Sequence, residues 1–110
     1  MIETIIALAT PAGESALAVI RISGQLSHII AKQACNCTNP KPRNAYLVNY
    51  RISDEETLDQ VVITFFNKGN SYTGEDSLEI SCHGNPLITE MICKDLINRG
   101  CRIAQPGEFT

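Results

Sequence analysis

Glu79 and Arg21 are the residues of this chain whose types and positions could do chemistry together. In Ser77-Leu78-Glu79-Ile80-Ser81-Cys82-His83, strand alternation puts Leu78, Ile80 and Cys82 on one face and Ser77, Glu79, Ser81 and His83 on the other. An ionised carboxylate in mid-strand between two apolar neighbours must be paired or approached by a ligand. Arg21, near the end of a second alternating run, is the natural counterpart. The two support a structural ion pair, a solvated sheet face or a ligand site. In the last case one carboxylate accepts two parallel donors, such as the 2-amino group and N3–H of a pterin, while arginine suits a carbonyl or a glutamyl carboxylate.

Other candidates are weaker. Cys82 and His83 are adjacent in sequence but fall on opposite faces of one strand, so they form no nucleophile–base dyad. His83-Gly84 sits at a strand end before a helix N-terminus and reads as a ligand-facing histidine or as one capping a turn. His28 occupies a polar helical register and is expected to be solvated. The five cysteines, Cys35, Cys37, Cys82, Cys93 and Cys101, are odd in number and irregularly spaced. They fit reduced, buried or incidental thiols better than a disulfide framework or a zinc site, which would need two more ligands beside the C-x-C pair. Gly69 and Gly74 have the glycine spacing of a phosphate-binding loop. Glu75-Asp76 stand where that loop needs lysine and a hydroxyl, and a strand follows instead of a helix, so nucleotide binding within these residues is excluded.

The elements that must position these residues follow from periodicity. Apolar run 4–9 reads as a buried strand ended by a turn at Thr10-Pro11-Ala12-Gly13, and run 16–22 as a second strand stopped by Ser23-Gly24. Leu26, Ile29, Ile30 and Ala34 mark one face of a helix, which residues 36–43 break. Runs 45–52 and 58–66, joined by a polar link at 53–57, should pair antiparallel. Residues 67–74 form a loop before the strand that carries Glu79. Asn85-Pro86 is an N-cap with proline at the first helical position, and the helix runs through Leu87, Ile88, Met91, Ile92 and Leu96 to its stop at Gly100. Residues 101–104 add a last strand. The order β-β-α-β-β-β-α-β implies an α+β, two-layer domain: a mixed sheet of about five to six strands with two main helices.

A chain of 110 residues holds one domain, read as 1–110. Nine basic against 12 acidic residues, a formal charge of −3, leave no single-sign field strong enough to track a phosphate backbone, so unaided nucleic-acid binding is not expected. No apolar run approaches the ~20 residues that span a bilayer, and Met1-Ile2-Glu3-Thr4 is no secretory leader, so no membrane role and a cytoplasmic location are expected. The end at Pro106-Gly107-Glu108-Phe109-Thr110 reads as a cut through a longer protein.

Several stretches together carry a resemblance: Ala7-Leu8-Ala9-Thr10-Pro11-Ala12-Gly13, Arg21-Ile22-Ser23-Gly24, Asn70-Ser71-Tyr72-Thr73-Gly74-Glu75-Asp76-Ser77-Leu78-Glu79, His83-Gly84-Asn85-Pro86, and Arg102-Ile103-Ala104-Gln105-Pro106-Gly107-Glu108-Phe109-Thr110. In this order they closely resemble the N-terminal domain of the MnmE/TrmE family of tRNA modification GTPases. The resemblance implies a module similar to the folate-binding domain of aminomethyltransferases, binding 5-formyl-tetrahydrofolate and making a homodimer. In that family the dimer works with the flavoprotein MnmG on the wobble uridine of certain tRNAs. The family's folate contacts carry over to Arg21 and Glu79, and a further family lysine lies past Thr110. GTP, magnesium and potassium belong to a GTP-binding domain that, like the helical domain, these residues do not include, so no catalytic residue and no GTP hydrolysis are expected of them. Gly13-Glu14-Ser15-Ala16 departs from a usually glycine-rich stretch, and Asn85 replaces a second glycine after the histidine; neither touches Arg21 or Glu79. The alternatives are a stand-alone folate-dependent one-carbon transferase and a purely structural oligomerisation domain.

Overall fold

Branched apolar side chains at every second position build strands whose inward halves fuse into one core. The computed structural model describes residues 3–9, 16–67 and 75–109. In chain order these form β1 (Ile5–Leu8), β2 (Leu17–Ser23), α1 (Leu26–Gln33), β3 (Ala45–Ser53), β4 (Glu56–Phe66), β5 (Ser77–His83), α2 (Pro86–Asn98) and β6 (Arg102–Ile103). The expected turn at 10–13 and the glycine-bearing loop at 68–74 lie outside the described residues.

The six strands make one mixed sheet in the order β3-β4-β5-β2-β1-β6, antiparallel except where β6 runs parallel to β1. β2 and β5 occupy its centre, which places Arg21 and Glu79 away from any edge. The core joins the inward residues Ile20, Ile22, Ile63, Phe65, Leu78 and Ile80 to Ile30, Ala31 and Ala34 around α1 and to Ile92 and Leu96 of α2. Both helices therefore cover the same face, as one layer on another. The opposite face carries Val19, Arg21, Ser23, Val62, Thr64, Glu79 and Ser81, of which Ser23 alone is fully buried.

Local chemistry sets the ends. Asn85 Oδ1 accepts from the Leu87 N–H at 2.8 Å, with Pro86 at the first helical position. α2 ends in a Schellman arrangement: Cys101 N–H donates to Leu96 O at 3.1 Å and Gly100 N–H to Ile97 O at 3.0 Å, with Gly100 at φ +111°. No side chain of α1 caps its own start; instead Thr4, just before β1, accepts the Leu26 N–H on Oγ1 at 3.1 Å. The polar link expected at 53–57 narrows to Asp54-Glu55. Ser53 pairs with Glu56 in the ladder, and register shifts after Tyr50 and Arg51 take up the extra length.

Candidate functional site

β2 and β5 pair so that Arg21 and Glu79 are direct cross-strand partners, and the Arg21 Nε donates to Glu79 Oε2 at 3.0 Å. With their side chains 38% and 29% exposed, the pair stays in reach of a ligand. The same row continues through Ala7 on β1 and Thr64 on β4. The next row holds Val19, Ser81 and Val62. Among the described residues, the pair's neighbours on the ladder are thus small side chains. Only one carboxylate oxygen is engaged, and Oε1 has no hydrogen-bond partner among the described residues. Each carboxylate oxygen has two lone pairs, so Oε1 and the second lone pair of Oε2 could together accept two adjacent N–H donors.

At one end of this face, Ser23 Oγ donates to Glu75 Oε2 at 3.3 Å. The Asp76 carbonyl accepts from Gly24 N–H at 2.9 Å and Ser27 Oγ at 3.2 Å, which fastens the approach to β5 onto the start of α1. His28, expected to be solvated, is only half exposed. Its ring centroid lies 4.1 Å from that of Phe65, and Nε2 is 3.8 Å from Asp76 Oδ2. An imidazole carries enough apolar surface to cover an aromatic neighbour from a helix flank.

At the other end stands a pair that the sequence did not reveal. Asp59 accepts the His83 backbone N–H at 2.9 Å and lies 2.8 and 3.0 Å from His83 Nδ1 through its two oxygens. Asp59 shares the inward register of Val61, Ile63 and Phe65, and a carboxylate in that register at a strand start was the available signal. Cys82, as expected, takes no part: its thiol points into the core and donates to Ala18 O at 3.6 Å.

The remaining groups are structural. Tyr50, Asp95 and Arg99 link β3 to α2, with Tyr50 Oη donating to Asp95 Oδ2 at 2.6 Å and Arg99 Nε to the same oxygen at 2.7 Å. Arg102 donates through Nη1 and Nη2 to the two Glu108 oxygens at 2.8 and 2.7 Å. That pairing, helped by the Gln105 N–H, pulls the Glu108 carboxyl down to about 2 and closes the turn after β6. All five cysteines are free thiols, and no group of three metal-ligating side chains occurs among the described residues. No helix among them is long and apolar enough to cross a membrane.

The described residues thus form a six-stranded α+β domain with a cross-strand arginine–carboxylate pair on the sheet face opposite the two helices. Residues 4–110 match the family described as GTP-binding protein TrmE N-terminus, and the chain belongs to that family. It is 53% identical over 108 residues to the tRNA modification GTPase MnmE of Opitutus terrae, covering 98% of this chain and 24% of the relative. It is 44% identical over 111 residues to the tRNA modification GTPase MnmE of Pseudothermotoga lettingae, covering 100% of this chain and 25% of the relative. A tRNA modification GTPase MnmE from Flavobacterium psychrophilum is 45% identical over 113 residues, 98% of this chain and 24% of the relative. The chain spans about a quarter of the length of these curated relatives.

Proposed function

We propose that this domain binds a folate-type one-carbon carrier through Arg21 and Glu79 and forms a homodimer within a tRNA modification GTPase. The observation that carries the reading is the 3.0 Å Arg21–Glu79 contact on the sheet face opposite the helices, where Glu79 Oε1 has no hydrogen-bond partner among the described residues. Glu79 accepts the paired N–H donors of a pterin, and Arg21 both orients Glu79 and attracts the anionic part of the ligand. When bound, a 5-formyl-tetrahydrofolate-like carrier supplies a one-carbon unit; these residues bind and orient it. The likeness to the folate-binding domain of aminomethyltransferases belongs to this proposal. So do a cytoplasmic location, action with the flavoprotein MnmG on a tRNA wobble uridine, and GTP hydrolysis with magnesium and potassium in a separate domain. The names of the relatives support the GTPase reading over a stand-alone transferase.

Calorimetric titration of the full-length protein with 5-formyl-tetrahydrofolate tests the site. Glu79→Gln keeps the shape and loses charge and one acceptor, and is expected to weaken binding by about 1.5–3 kcal/mol without unfolding. Wild-type affinity in that variant would discard the carboxylate's role, and absence of binding by the wild type would leave only an oligomerisation domain.

A further inference from the structure

We propose that the turn Pro40-Lys41-Pro42-Arg43 is a contact surface for the phosphate backbone of a tRNA, an inference that rests on the tRNA reading above and is independent of the folate site. Charge is unevenly placed along the chain. Residues 15–53 hold five of the nine basic residues, Arg21, Lys32, Lys41, Arg43 and Arg51, and none of the 12 acidic ones. Lys32, Lys41 and Arg43 are exposed, and none of these three has an ion-pair partner among the described residues. A domain that is acidic overall thus carries one basic segment on its surface.

The turn holds its two cations on a fixed backbone. Pro40 is buried, whereas residues 41–45 are all exposed. Lys41 N–H donates to Tyr46 Oη at 2.8 Å, Asn44 N–H to the Lys41 carbonyl at 3.3 Å, and Arg43 N–H to the Phe65 carbonyl of β4 at 2.8 Å. Prolines at 40 and 42 fix φ there, and Arg43 itself stands at φ +66°, where residues other than glycine are uncommon. Side chains that leave from a backbone already fixed cost less to order on binding. The preceding chain is held against α1 by Cys37 N–H on the Ala31 carbonyl at 2.8 Å, and the last turn of that helix carries Lys32. Among the described residues, the acids at this end of the sheet are engaged elsewhere: Glu75 accepts the Ser23 hydroxyl, and Asp76 faces His28. An acidic protein would also attract two cations, but protein interfaces are built around aromatic and other apolar anchors and are poor in lysine. Lys41, Pro42, Arg43 and Asn44 present no aromatic or long aliphatic side chain; ammonium, guanidinium and carboxamide groups are the donors that contact phosphate oxygens. Two or three such contacts are too few to hold a nucleic acid unaided, so the turn adds to contacts made elsewhere in the full-length protein.

The test measures binding of an unmodified tRNA transcript to the full-length protein by fluorescence anisotropy over a series of salt concentrations. Lys41→Gln combined with Arg43→Gln is expected to weaken binding most at low salt and to reduce the slope of log K against log[salt] by about 1.4–1.8, which is about 0.7–0.9 for each lost phosphate contact. Lys41→Arg combined with Arg43→Lys keeps both charges and is expected to keep the wild-type slope. Both double variants should retain the wild-type urea midpoint and the wild-type 5-formyl-tetrahydrofolate titration, because the turn lies outside the core and away from Arg21 and Glu79. A glutamine double variant that matches the wild type in affinity and slope, or that loses affinity with no change of slope, overturns the phosphate contact while the tRNA reading stands. Wild-type protein that binds no tRNA at any salt concentration overturns the contact and the tRNA reading together, and leaves the folate reading to its own titration.

Discussion

Tyr50 and Asp95 fasten the far end of α2 to the edge strand β3, with a fully buried phenol donating to a carboxylate oxygen 2.6 Å away that also receives Arg99. Arg99 Nη2 continues the chain of contacts to the Arg51 carbonyl at 2.9 Å. Removing the hydroxyl and removing the carboxylate are therefore unequal perturbations. Tyr50→Phe deletes one bond and leaves Asp95 paired with Arg99, for an expected loss of about 1–2 kcal/mol. Asp95→Ala strands a buried hydroxyl and a mostly buried guanidinium together, for an expected loss of about 3–5 kcal/mol. Urea midpoints of the two variants check the order, and equal losses would show that Asp95 is not the hub.

The Arg21–Glu79 pair is expected to matter for binding far more than for stability. Partly exposed ion pairs contribute about 0–1 kcal/mol, because solvent screens the attraction and two long side chains lose freedom. Arg21→Met combined with Glu79→Leu should leave the urea midpoint within about 1 kcal/mol of wild type while abolishing measurable folate binding. A large loss of stability would return the pair to a purely structural role.

The parity of Arg21 and Glu79 was legible from strand alternation alone, because a period of two fixes the face of every residue once one face is apolar. That they stand directly opposite was not, since register between strands 58 residues apart depends on the whole sheet. The cap at Asn85 and the stop at Gly100 were equally readable, being local chemistry. The placement of β6 beside β1, the gathering of both helices on one face, and the Thr4 cap on α1 arise from contacts between distant segments. Asp59 was missed for a related reason: its partner is a backbone N–H and a ring at the end of a neighbouring strand, which no spacing within β4 announces.

Alkaline conditions should destabilise the domain through its buried thiols. Desolvation, aided by Cys37 and opposed by Arg99, pushes Cys35 up from the ordinary 9.0 to about 12, and desolvation, again opposed by Arg99, pushes Cys101 up to about 11. Above pH 9 the unfolded chain loses these protons while the folded chain keeps them, so the unfolded state binds fewer protons and stability falls as pH rises. Each thiol contributes a slope of up to about 1.4 kcal/mol per pH unit, ending near pH 11 for Cys101 and near pH 12 for Cys35. Tyr50, raised chiefly by burial and then by its bond to Asp95, adds to the decline above pH 10. The urea midpoint is expected to be insensitive to these groups up to about pH 8.5 and to drop beyond pH 9. Cys35→Ala should flatten that drop, and an unchanged slope in the variant would exclude Cys35 as its source.

Gly24 is expected to be among the least replaceable positions outside the core. It turns the chain from β2 into α1 at φ +137°, a conformation that side-chain-bearing residues rarely adopt. A Cβ there would lie 2.5 Å from Thr4 Oγ1 and 2.7 Å from Thr4 Cα. Thr4 cannot retreat, because its Oγ1 accepts the Leu26 N–H and its carbonyl accepts the Arg102 N–H at 2.9 Å, which ties β1 to β6. Backbone strain and overpacking each cost about 1–3 kcal/mol, so Gly24→Ala should lose about 3–4 kcal/mol. The Gly24 N–H also donates to the Asp76 carbonyl at 2.9 Å, so part of the disturbance passes to the start of β5 beside Glu75. Urea unfolding measures the first effect and hydrogen exchange at residues 75–77 the second; a loss below about 1 kcal/mol would show that β1 can shift away from the turn.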